Sequence, residues 1–240
     1  MVVFELRVVV LSRSGDIRNV AQTWWHTRRS HSPGEIIADA IVHGVGLVVA
    51  LSGGAVLLTL ALIKTAPAEF PALTIYVISL ITLLSVSMTF NLWPRTHTKR
   101  FLARLDQAAI FLFIAGTYTP FLALIWDTPK GVGLTAFVWG TALIGIALKL
   151  IVPQHFGRLA IVFYLGIGWS GLFVFHSLAL ALPPAALWLI VAGGVTYSAG
   201  IIFHLWENLK FQNALWHVFV VAGAMLHLFA IFDAMVISRW

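Results

Sequence analysis

Apolar residues gather into seven stretches long enough to cross a bilayer, near 38–63, 71–92, 107–126, 131–152, 159–181, 185–204 and 214–236. About 20 residues of helix cover the hydrocarbon core. The joints between stretches carry breakers, among them Pro67, Pro71, Pro94, Pro129, Pro153 and the pair Pro183–Pro184. An open strand cannot cross lipid because its backbone groups find no partners there, and no stretch shows the alternation of a barrel strand. Each stretch therefore predicts a helix, and the expected fold class is an all-α integral membrane bundle of seven transmembrane helices. Residues 34–240 make up that bundle. Residues 1–33 are expected to form a poorly ordered cytoplasmic leader, since the run Val8–Leu11 is short and Glu5 and Asp16 break up its surroundings.

Polar groups inside spans are costly and point to function. Glu35, Asp39 and His43 enter the first span, Ser87 and Asn91 end the second, Asp106 and Gln107 begin the third, and Asn213 and His217 begin the seventh. Because successive spans reverse direction, all of these fall at one end of the bundle. Glu35, Asp39 and His43 recur every four residues, as do Ser87 with Asn91 and Asn213 with His217, so each set shares one helical face. The polar residues of four spans thus predict one layer. Interhelical hydrogen bonding by small polar side chains is the plainer account of any single member. His227, ten residues beyond His217, lies about 15 Å further along its helix and is expected to make a separate packing contact.

Composition fits a lipid-solvated chain: 60% of residues are hydrophobic, 10% are charged and mean hydropathy is +0.94. The net charge of +6 and pI near 10.1 do not imply nucleic acid, since the cations sit between apolar runs and not on a basic stripe. Instead they set orientation. Arg7 through Arg29, Arg95 through Arg104, Lys149, Arg158 and Lys210 lie on the side of the N-terminus, against Lys64, Lys130 and Arg239 opposite, among 15 in all. The bias predicts a cytoplasmic N-terminus, an outside C-terminus and a polar layer facing the cytoplasm. The chain has no cysteine, so thiolate metal sites and thiol nucleophiles are excluded. Gly166 to Gly171 spells GxGxxG within an apolar span, where helix packing through small residues is expected and dinucleotide binding is not.

The strings "LDQAAI" at 105–110 and "IAGTYTPF" at 114–121 resemble the hemolysin III family, the bacterial branch of the progestin and adipoQ receptor group. "EIIADAIVHGVG" from Glu35 and "ALWHVFVVAGAMLHL" from Ala214 resemble that family's first and last helices. The resemblance covers roughly residues 34–236 and, with the bacterial-type motifs, implies a multi-pass protein of a bacterial inner (plasma) membrane. It further implies a zinc site built from a Ser and a His ending the second helix, an Asp in the third, and two His four residues apart in the seventh, proposed in related members to hydrolyse lipid amides or esters. Carried over, the Ser falls on Ser87 and the Asp on Asp106, the candidate catalytic residues, and the second seventh-helix His on His217, the candidate metal ligand. The remaining two histidine positions hold Asn91 and Asn213, and a neutral amide is a poor substitute for imidazole.

Three functions follow as expectations. The favoured one is a non-catalytic or remodelled family member using the polar pocket of Glu35, Asp39, His43, Asn91, Gln107 and Asn213 in membrane sensing or homeostasis, with membrane lipid around it and a lipid headgroup or a proton as ligand. The second is a zinc-dependent, membrane-embedded lipid amide or ester hydrolase in which Asp106 serves the metal-bound water and His43 helps complete a reorganised site. The third, implied by the family name, is a pore-forming cytolysin. No cofactor is assigned from the residues themselves, and zinc enters only through the resemblance.

Overall fold

The computed structural model describes residues 32–94, 96–152 and 159–239, so the expected leader falls outside the described residues except for Ser32 and Pro33. Every regular element among the described residues is helical. In chain order they are α1 (Pro33–Lys64), α2 (Phe70–Leu92), α3 (His97–Ala123), α4 (Pro129–Ile151), α5 (Leu159–Gly168), a 3₁₀ turn (Ser170–Val174), α6 (Phe175–Ala181), α7 (Pro184–Leu205) and α8 (Gln212–Met235), with a last 3₁₀ turn at Ile237–Arg239. Taking α5 through α6 as one, these give seven spans long and apolar enough to cross a membrane.

Neighbours in sequence are neighbours in space from α1 to α4, α7 packs on α8, and α8 returns to lie against α1. The most buried spans are α3 and α8. Helix α1 illustrates why these residues pack as they do. Its buried stripe runs Glu35, Asp39, His43, Gly46, Ala50, Gly54, Leu57, Ala61, polar for two turns and then mostly small. Small residues let helices approach closely in lipid, where no hydrophobic force separates helix from bilayer. Ile37, Ile41, Val45, Val48 and Leu62 on the opposite side are exposed, as lipid-facing positions must be.

Two boundaries differ from expectation. Helix α3 starts at His97 and not near 107, so Asp106 and Gln107 lie well inside it rather than at its beginning. The basic segment from His97 to Arg104 lowers local hydropathy yet is fully helical, because long cationic side chains can reach water while their stems stay in the bundle. The fifth span is not a continuous helix: it breaks between Gly168 and Ser170.

Of the small-residue packing expected for residues 166–171, Gly171 keeps a part: an added Cβ there would stand 3.2 Å from the Tyr118 hydroxyl, whereas at Gly166 or Gly168 it would meet nothing within 4 Å. The stretch instead lets the backbone depart from the α-helix, and Tyr118 of α3 takes up the freed groups. Its hydroxyl donates to the Gly168 carbonyl at 2.6 Å and accepts from the Gly171 amide at 2.9 Å. Backbone groups left unbonded at membrane depth are expensive. Tyr118→Phe is expected to cost about 1–3 kcal/mol, read as a lower thermal unfolding temperature in detergent, and an unchanged temperature would show that lipid or water serves those groups equally well.

Candidate functional site

The end of the bundle holding the starts of α1, α3 and α8 and the finish of α2 collects the polar layer. Ser32 caps α1, accepting from the Glu35 amide, while Glu35 Oε2 accepts from the Ser32 amide at 2.8 Å. This reciprocal box fixes the helix start. The other carboxylate oxygen of Glu35 accepts from the Phe211 amide at 2.9 Å. Phe211 precedes α8 and has a left-handed backbone, φ 61°. Buried Glu35 thus ties the entry of α1 to the entry of α8, a structural task that its place in the layer did not reveal.

One and two turns further along α1 stand Asp39 and His43, both buried. The Asp39 carboxylate meets Nδ1 of His217 at 2.5 Å. Nδ1 of His43 lies 2.9 Å from the Asp39 carbonyl and therefore donates to it. The two imidazole rings meet edge to face, centroids 4.3 Å apart. Asp106 of α3 adjoins this trio: its carboxyl accepts from the Ser87 hydroxyl and interacts electrostatically with His217 and Asp39.

Beside them, the Asn91 amide nitrogen donates to the Ser87 carbonyl at 2.9 Å, and the Asn213 amide nitrogen donates to Asn91 Oδ1 at 2.8 Å. Asn91 and Asn213, which stand where the resemblance expects metal-binding histidines, are thus bonded to each other. The structure brings Asp39, His43 and His217 together, sets Ser87 with Asp106, and pairs the two asparagines.

Gln107 serves a different neighbourhood. Its side-chain oxygen accepts from Lys149 Nζ at 2.6 Å and its carbonyl from the Tyr164 hydroxyl at 2.8 Å, joining α3 to α4 and α5. Lys149 is therefore not the loop cation counted in the orientation bias. It is 1% exposed within α4. Its setting between Leu148 and Leu150 was the available signal, since a lysine inside an apolar run asks for an internal partner. His227 makes the separate contact expected of it, bonding the Gly223 carbonyl and stacking on Tyr197.

The polar cluster is closely bonded, and two openings in the described surface lie elsewhere. One of about 320 Å³ is lined by Glu69, Thr119, Trp126 and neighbours, and one of about 170 Å³ by Phe175, Trp188 and others, both at the opposite end of the bundle.

Residues 35–228 match the family described as "Haemolysin-III related". The chain belongs to the hemolysin III family. It is 33% identical to "Hemolysin-3" of Bacillus cereus over 205 residues, 85% of this chain and 94% of the relative, and 33% identical to "Hemolysin-3 homolog" of Bacillus subtilis, covering 82% and 92%. "Monocyte to macrophage differentiation factor" of Homo sapiens is 28% identical over 65% of this chain and 67% of its own length, in keeping with the wider progestin and adipoQ receptor group. With its seven apolar helices, this hemolysin III family protein is an integral multi-pass membrane protein.

The zinc arrangement that the resemblance implies does not fit these residues. Two of the three imidazole positions hold amides, Asn91 and Asn213, bonded to each other, and only His217 supplies imidazole there. Amide oxygen is a hard, neutral donor that suits Zn²⁺ less well than imidazole.

Proposed function

We propose that this hemolysin III family protein is a remodelled, non-hydrolytic member that works by binding at its polar end, with that end facing the cytoplasm. The hydrogen bond between Asn213 and Asn91, at the positions where hydrolytic relatives are expected to hold a metal, carries the reading. In that class three imidazoles hold the ion that activates water, and here two of them are replaced by amides bonded to one another. The charge bias supports the cytoplasmic orientation even after Lys149 is set aside as a buried residue.

Hydrolysis keeps one observation in its favour: Asp106 still interacts with both Ser87 and His217. The name of the Bacillus cereus relative adds a pore-forming reading. One experiment addresses all three. Protein in dye-loaded proteoliposomes containing ceramide and phosphatidylcholine is expected to release no fatty acid above an Asp106→Ala control and no dye above empty vesicles. Fatty-acid release abolished by Asp106→Ala would overturn the proposal in favour of hydrolysis, and dye release in favour of a pore.

A further inference from the structure

We infer that Asp39, His43 and His217 form a divalent transition-metal site of their own, displaced from the family position onto α1. Among the described residues these three side chains offer ligand atoms that all lie within 4.8 Å of one another. Ligands on four-coordinate zinc stand about 3.3 Å apart. Closing the trio on an ion therefore asks the donor atoms to draw together by up to about 1.5 Å.

The hydrogen bonding prepares the donors. His43 gives its Nδ1 proton to the Asp39 carbonyl, which leaves Nε2 with a lone pair. Metal-ligating histidines are commonly oriented in this way, by a carbonyl or carboxylate on the other ring nitrogen. His217 is held at Nδ1 by the Asp39 carboxylate. Two imidazoles and a carboxylate form a donor set that suits zinc and neighbouring first-row ions. The close hydrogen bonding of the three side chains suits an ion better than a headgroup.

This inference names the ligand of the binding role proposed above and shares its location. Protein purified with chelator and then dialysed against ZnCl₂ is expected to hold roughly one zinc per chain. X-ray absorption is expected to find two imidazoles in the first shell. His43→Gln should lower zinc content to background, Asp39→Asn should weaken affinity on the order of tenfold to a hundredfold, and His227→Gln, a histidine outside the polar end, should leave it unchanged. No zinc on wild type, a first shell with one imidazole, or zinc kept in His43→Gln would overturn the site. The first-shell count is made on wild type, so it stands even if a variant fails to fold. Fatty-acid release from the same preparations separates the two ideas: zinc with release leaves the site and ends the non-hydrolytic reading, whereas neither zinc nor release does the reverse.

Discussion

Gly116→Leu is expected to leave almost no folded protein. A Cβ at this position would stand 2.1 Å from Ser79 Oγ, 2.7 Å from Ser79 Cβ and 3.5 Å from the Ile75 carbonyl. Ser79 cannot yield easily, being 1% exposed with its hydroxyl bonded to the Tyr76 carbonyl at 2.8 Å. The added side chain must force α2 and α3 apart along one of the most extensive contacts in the bundle. Overpacking of this kind costs about 3 kcal/mol or more. Removing the obstacle on the partner supplies the control. Ser79→Gly combined with Gly116→Ala should unfold within about 1 kcal/mol of Ser79→Gly alone, because the two positions are in direct contact and their effects do not add. Thermal unfolding followed by size-exclusion elution in detergent measures both. A well-folded Gly116→Leu protein would mean that the α2–α3 contact is looser than these distances imply.

The second large effect is a gain. Asn91→His with Asn213→His replaces the bonded amide pair by imidazoles, which with His217 gives the three-histidine set implied by the family resemblance. Zinc affinity is expected to rise by roughly a hundredfold, the scale on which changes in a site's ligands and their supports act, and the first shell is expected to hold three imidazoles. Each single substitution should fall short, since either alone leaves an asparagine at the remaining position. Competition with a fluorescent chelator measures the affinity. If the double variant binds zinc no more tightly than wild type, the placing of Asn91 and Asn213 at metal-ligand positions is wrong.

Much of this molecule was legible in the chain. One uninterrupted apolar window per span, with prolines at the joints, is enough to count the helices. The four-residue recurrence of Glu35, Asp39 and His43 is enough to put them on one inward face, because the helix period acts locally. What stayed hidden depended on partners distant in sequence. Nothing around Glu35 announces that it will bond the Phe211 amide, 176 residues away. Adjacent Asp106 and Gln107 point to different neighbourhoods, one to Ser87 and the other to Lys149, and which is which follows from how α3 is turned within the bundle. The glycines near 168 read equally well as packing positions, and only the Tyr118 hydroxyl across the interface makes them a break.

The same tyrosine changes what the "IAGTYTPF" string means. Gly116 admits α2, Tyr118 mends the fifth span, and Thr119 accepts from the Trp139 indole of α4 at 3.2 Å. These are architectural tasks. A chain carrying the string is thereby committed to this bundle, whatever its second and seventh helices hold at the metal positions.

The inward face of α1 beyond His43 closes the polar end off from the rest of the molecule. One turn on, Gly46 lies against Val221 and Leu84; further along, Gly53 meets Leu228 and Gly54 meets Val77. These contacts put interlocked hydrocarbon beneath the imidazoles. An ion held by His43 and His217 would then have to come and go at the polar end of the bundle, so its occupancy would report the contents of one compartment only.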